Sequence, residues 1–313
     1  MSHTNSQNYL LLSQIFLRGL TEANRDEVRQ VRELAKYIPE DIDLDQAAAD
    51  HQHIFGFNVF PYESVFLDAT GQLGGDVASA VARQYLEAGF EIHPSAASPD
   101  HIGHQLEFLA FLSETDSVTP APYESLHDET ASKRLSSFLD NHTLRWLPPF
   151  TLAVRRQQHP FFRAATDLML MKVVRHRDAL GGSVAALTLP QPPDLMSGDT
   201  GLRDIVEYLL TPAYCGIYLS KDDISQLARE QSMPRGFGDR RTMLLNLLRS
   251  ASAYGDPSQL LSSIQRMAER WVGDYREMTS DPVIALIAAS WMERAAETED
   301  ILVKMQSKLS NLD

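Results

Sequence analysis

The chain has 313 residues, 43% of them hydrophobic and 22% charged, which excludes wholesale disorder and leaves length for one large core or two modest ones. Its 42 acidic residues against 28 basic ones give a net charge of −14, a balance that repels phosphate backbones and speaks against nucleic-acid binding. The single cysteine, Cys215, excludes an intrachain disulfide and a multi-thiolate metal site.

The first residues are polar and lack a basic n-region. The apolar patch Tyr9-Leu10-Leu11-Leu12 is too short for a secretory h-region. No stretch approaches the ~20 apolar residues of a membrane span. The sequence therefore predicts a cytoplasmic protein without stable membrane insertion.

Helical periodicity dominates. Leu10, Leu12, Ile15, Phe16 and Leu20 recur at steps of three and four, and a second helix is predicted from about Asn24 to Ile38, with Val28, Val31, Leu34 and Ala35 inward. Phe55, Phe57, Val59 and Phe60 suggest a short extended piece. Val77, Ala80, Val81, Tyr85 and Leu86 mark a further helix closed by Gly89. Ser98-Pro99-Asp100 predicts a helix start, with a capping hydroxyl, proline at the first position and an acid in the first turn. A proline-bearing connector at Glu114 to Pro122 reads as an internal hinge.

Val184 to Leu189 is the other candidate extended piece. The run Leu187 to Thr200, LTLPQPPDLMSGDT, is hostile to helix and reads as a linker. Beyond it, Ser220 to Asp223 has capping-box spacing, and Asp256-Pro257 and Asp281-Pro282 repeat the cap-then-proline pattern. The sequence thus predicts an all-α fold in two parts, residues 1–190 and 191–313. The amphipathic terminal helices, with Leu260, Ile264, Met267, Trp271, Ile284, Ile287, Trp291 and Met292, are expected to pack internally or to dock a partner.

Three segments carry a family likeness. The first is Phe60-Pro61-Tyr62-Glu63-Ser64-Val65-Phe66. The second is Pro99-Asp100-His101-Ile102-Gly103-His104-Gln105-Leu106-Glu107-Phe108-Leu109. The third is Phe138-Leu139-Asp140-Asn141-His142, followed by Trp146, Pro148 and Phe150. In order and spacing they resemble the TorD/DmsD/NarJ family of redox-enzyme maturation chaperones, most clearly from Phe60 to Arg177. The resemblance implies a TorD-like helical bundle without catalysis or a cofactor of its own. Its partners would be the twin-arginine leader and apo form of a molybdenum-containing, DMSO-reductase-type oxidoreductase, held until its cofactor is inserted and its export can proceed. It also implies a monomer or a domain-exchanged homodimer.

On a helix starting at Pro99, Asp100, His104 and Glu107 share one face, with His101 and Phe108 on the next. Carboxylates accept forked hydrogen bonds from arginine, which nominates Asp100 and Glu107; the resemblance adds Glu63, His101 and His104 to the candidate peptide-binding residues. An aromatic groove suits the apolar part of a leader, which nominates Tyr62, Phe66, Phe108, Trp146 and Phe150. Each has a plainer alternative: Asp100 as a charge at a helix N-terminus, the aromatics as core, His142 as a hydrogen-bonded buried ring.

Three competing readings stay open. His101, His104 and Glu107 as a metal site lack the spacing of a zinc protease, in which the histidines are four apart. Arg235, Arg240 and Arg241, in the turn Pro234-Arg235-Gly236-Phe237-Gly238-Asp239-Arg240-Arg241, form a candidate anion or nucleotide site. The chain as a whole also fits a helical scaffold for assembling a respiratory redox complex.

Overall fold

A computed structural model describes residues 4–92, 97–115, 131–234 and 236–310. The described residues are all-α, with no strand among them and only an isolated bridge between Tyr62 and His101. They fall into two compact units: Met1–Ser64 with Gln72–Ala185, and Val65–Gly71 with Ala186–Asp313. Arg235, and the predicted hinge at 114–122 from residue 116 onward, lie outside the described residues.

The first unit begins with α1 (Asn5–Arg18), whose N-terminus carries a reciprocal capping box between Thr4 and Gln7. The helix predicted over 24–38 is two short ones, α2 (Arg25–Gln30) and α3 (Arg32–Ala35), broken at Val31, whose ψ is 110°. That break lets Val28, Val31 and Leu34 all enter the core. Next come α4 (Leu44–His51), capped by Asp43, and a π-helical segment, Gln52–Asn58. The extended piece predicted around Phe55 is thus corrected to a wide helical turn, which buries Phe55 and leaves Phe57 49% exposed. Helix α5 (Glu63–Leu67) has its first two residues in this unit and the rest in the second; α6 (Gly75–Glu87), α7 (Ile102–Thr115), α8 (Ala131–Phe138), α9 (Leu144–Arg156) and α10 (Pro160–Ala179) follow, with a second π-helical turn at Leu139–Thr143. Phe16, Phe55, Phe150 and Phe162 form one aromatic core; Tyr85, Phe90, Phe108 and Phe138 form another.

Helix α7 starts three residues later than the sequence suggests. The Asp100 carbonyl accepts from the Glu63 amide at 3.1 Å and the Ile102 amide donates to the Pro61 carbonyl at 2.9 Å. Backbone groups committed to that pairing cannot serve the first turn of a helix.

The second unit contains α11 (Leu202–Leu210), α12 (Pro212–Cys215), α13 (Lys221–Glu230), α14 (Arg240–Tyr254), α15 (Pro257–Met278) and α16 (Ala285–Ser310). Ser220 with Asp223 caps α13, and Asp256 caps α15 ahead of Pro257, as their sequences predict. Pro282 lies in a turn instead, and α16 begins only at Ala285. Leu260, Ile264, Met267, Trp271, Ile284, Ile287 and Trp291 are buried, so these faces of the terminal helices are core. Tyr275 donates to the Gly216 carbonyl at 2.9 Å. Gly216 has φ +71°, and a Cβ there would lie 2.3 Å from the Ala295 nitrogen, so this position requires glycine on two counts. Cys215 is fully buried and its thiol is pushed up to about 12 by burial, an inert thiol in an apolar setting. Among the described residues no helix is long and apolar enough to cross a membrane.

Candidate functional site

The second and first motif segments meet through the pairing of residues 100–102 with 61–63. Asp100 is fully buried and its Oδ2 accepts from the Ser64 amide at 2.9 Å, so its carboxylate serves the first turn of α5. Its own helix, α7, is capped by the next residue. His101 Nδ1 accepts from the Gly103 amide at 3.0 Å, which leaves the ring proton on Nε2. Burial lowers His101 to about 3, helped by the neighbouring His104 and His51, so the ring is neutral near pH 7. Its edge packs on Tyr62, with ring centroids 4.9 Å apart.

Gly103 sets how closely α1 approaches α7. A Cβ there would lie 2.4 Å from Leu17 Cγ. One turn on, His104 is buried and its Nδ1 lies 2.9 Å from Glu107 Oε2; the Glu107 side chain is 24% exposed.

Behind this face runs a buried polar network that ties the three motif segments together. Gln105 Nε2 donates to Glu63 Oε2 at 2.6 Å, and Trp146 Nε1 donates to Gln105 Oε1 at 3.3 Å. His142 Nδ1 stands 3.1 Å from Glu63 Oε1. Burial raises the Glu63 carboxyl above its usual range, and the His142 and Gln105 hydrogen bonds pull it back. Such a network is costly if half-satisfied and specifies one arrangement when complete.

The motif face opens onto a cavity of about 460 Å³ within the first unit, inside the range of ligand pockets, ~300–1,000 Å³. Pro61, Tyr62, Ala97, His101, His104 and Glu107 form one side. Phe16, Leu17 and Arg18 come from the end of α1, and His51, Gln52, Phe55 and Gly56 from α4 and the first π-helical segment. The cavity lining mixes the apolar and aromatic groups of Phe16, Leu17, Phe55, Pro61 and Tyr62 with polar ones, among them the Glu107 carboxylate and the Arg18 guanidinium. His51 Nε2 stands 3.0 Å from the Phe16 carbonyl, and burial lowers the pKa of this ring.

Of the residues nominated from sequence, Tyr62, His101, His104 and Glu107 come together here. Asp100 and Glu63 are buried behind them. Phe108 packs on Tyr85 and Phe138, and Trp146 on Phe150, in core positions. Phe66 belongs to the second unit, where it stacks on Tyr218 at 5.2 Å. The wall formed by α1 and residues 51–56 was not anticipated. Its signal in the sequence is the run His51-Gln52-His53-Ile54-Phe55-Gly56, with paired histidines and a glycine inside an apolar segment.

Residues 21–152 match the family described as nitrate reductase delta subunit. That family consists of molybdoenzyme maturation chaperones. The matched stretch holds all three motif segments and every cavity-lining residue beyond α1, while the second unit, apart from Val65–Gly71, lies outside it. No curated protein matches the chain.

The arginine-rich turn in the second unit is differently built from the delta-subunit-like region. Asp239 caps α14, accepting from the Thr242 amide at 2.7 Å, and its carboxyl is held below its usual range by that contact. Arg240 lies over the Tyr218 ring at 4.6 Å and donates to the Leu219 carbonyl at 3.0 Å. Arg241 approaches Glu207 at 3.5 Å. Arg235 lies outside the described residues. Among the described residues no group of three His, Cys, Asp or Glu side chains is placed to hold a metal.

Proposed function

We propose that this protein is a non-catalytic chaperone whose first unit binds the twin-arginine leader, and with it the apo form, of a molybdenum-containing oxidoreductase. The observation that carries the reading is convergence. Tyr62, His101, His104 and Glu107 come from two separated motif segments, and all four line one cavity in the stretch that matches a maturation-chaperone family.

The chemistry of the cavity suits a leader, which joins guanidinium groups to an apolar stretch. Phe16, Leu17, Phe55 and Tyr62 offer an apolar surface to that stretch, laid down as a helix or a strand. Glu107 presents a carboxylate whose orientation is set by His104, suited to a charge-assisted hydrogen bond from arginine. The neutral His101 adds no positive charge that would repel the ligand. Asp100, Glu63, His142, Gln105 and Trp146 act through the fold, fixing the segments that present this surface. Recognition is binding rather than turnover, and the chain's overall negative charge steers a basic leader toward it.

The test is calorimetric titration of leader peptides into the full chain. Glu107→Gln and Phe55→Ala are expected to weaken binding, while Arg241→Ala in the second unit leaves it unchanged. Equal affinity for all three variants and the wild type would remove the cavity from the account.

A further inference from the structure

A second cavity, of about 210 Å³, lies in the same unit on another face of α4. It is smaller than the ~300–1,000 Å³ typical of small-molecule pockets, and its size suits one long side chain. Its walls are apolar: Leu20, Ile42, Phe161 and Phe162. Its polar groups are Asp43, Gln46 and Asp50 with the Tyr37 hydroxyl, and His159 at the start of α10.

The carboxylates are held in place. Asp43 Oδ1 caps α4, accepting from the Asp45 and Gln46 amides at 2.9 and 3.1 Å. Asp50 Oδ1 accepts from Gln46 Nε2 at 2.8 Å, and its Oδ2 lies 3.2 Å from His159 Nε2. His159 in turn caps α10 through Nδ1, which takes the Phe162 amide at 3.4 Å. Two helix N-termini contribute about half a positive charge each, and two carboxylates outweigh them, leaving the cavity negative. The surrounding sequence reinforces this. Between Lys36 and Arg83 there is no lysine or arginine, while Glu40, Asp41 and Asp45 lie beside the cavity residues. Of the neighbouring cations, Lys36 rests over the Tyr37 ring at 4.7 Å, Arg29 donates to the Ile38 and Pro39 carbonyls, and Arg163, next to Phe162, lies 3.9 Å from Asp167.

We infer that this cavity is a second recognition point, which takes an arginine side chain from the basic segment of the bound leader. The aliphatic stem lies on Phe161, Phe162 and Leu20, and the guanidinium donates to Asp43 and Asp50, each of which has lone pairs beyond those its present partners use. The inference rests on the leader-binding reading above. It also explains a feature of the layout. Residues 43–50 line this cavity and residues 51–56 line the larger one, so one continuous helical segment serves both. The larger cavity would take the apolar stretch while the smaller takes a cation.

Two measurements test it. In the first, N-acetyl-arginine amide and its uncharged isostere N-acetyl-citrulline amide are titrated into isotope-labelled full chain. Arginine amide is expected to shift the amides of Phe161, Phe162 and Gln46, with citrulline silent and the response lost in Asp43→Asn/Asp50→Asn. Asparagine retains the helix cap and the amide contacts, so this variant is expected to fold. Equal responses to both probes, or none, would overturn the inference.

In the second, a twin-arginine leader peptide is titrated into wild type and the double variant. A loss of roughly tenfold or more in affinity supports the inference. Equal affinity overturns it and leaves leader binding at the larger cavity standing. A wild-type chain that binds no leader overturns the leader-binding reading and the inference with it, an outcome distinct from equal affinity of the two proteins.

Discussion

Asp100 Oδ2 accepts the Ser64 amide at 2.9 Å, across 36 positions of sequence and with no solvent exposure of the aspartate. The acid at the heart of the proline-aspartate-histidine segment therefore holds the start of α5, not the start of the helix that follows it. Its other oxygen has no hydrogen-bond partner among the described residues. Asp100→Ala is expected to cost about 1–3 kcal/mol of stability through the lost cap and the stranded amide. Urea unfolding checks the cost. Leader affinity per folded molecule should fall less than in Glu107→Gln.

His101 makes stability depend on pH in a definite direction. Its folded value is about 3 against an ordinary 6.5. Between the two, the unfolded chain binds a proton that the folded chain refuses. The contribution is fully present above about 6.5 and is lost as pH falls toward 3, at up to about 1.4 kcal/mol per pH unit. His51, lowered in the same direction by burial, adds to the effect. His101→Asn retains a capping side chain without the titration. Urea midpoints measured from pH 7 to pH 4 should fall less steeply for this variant than for wild type.

Glu63 is the junction of the buried network. Removing it leaves His142 and Gln105 without their shared acceptor. Glu63→Ala is expected to destabilise by roughly 3–5 kcal/mol, the usual cost of breaking a buried pair from one side. Chemical denaturation at pH 7 measures this. A loss below 1 kcal/mol would mean that the network closes over the gap.

Gly103 is required by contact and not by backbone conformation. Gly103→Ala places a methyl 2.4 Å from Leu17 Cγ and should cost about 1–3 kcal/mol by forcing α1 from α7. The second-site change Leu17→Ala should recover part of that loss in the double variant, because it removes the colliding atoms.

Helical periodicity and cap residues were enough to read the fold class. Ser220 and Asp256 cap the helices that their local sequences announce. Long-range pairing was not legible. Nothing near Ser98 reveals that Asp100 and Ile102 spend their backbone groups on Pro61 and Glu63, so the first turn of α7 was placed three residues early. The phenylalanines of residues 55–60 suggest a strand by composition, but the wider spacing of a π-helical turn turns Phe55 inward and Phe57 outward. Within the site, Tyr62, His101, His104 and Glu107 were nominated because three segments form a recognisable set. Phe66, Phe108 and Trp146 were nominated for an aromatic groove with core burial as the plainer alternative, and the structure places them in the core beside Tyr218, Tyr85 and Gln105. His51 and Phe55 are not singled out by sequence because the run His51 to Gly56 gains its role only where it meets the end of α1, a tertiary contact.

The central claim is that the cavity of the first unit binds a twin-arginine leader. The most direct measurement is calorimetry with leader peptides of molybdenum-containing redox enzymes, titrated into the full chain and into Glu107→Gln, with circular dichroism establishing that both are folded. The account predicts micromolar or tighter binding to the wild type and clearly weaker binding to the variant. Absence of binding to every leader, or equal affinity for both proteins, would contradict it.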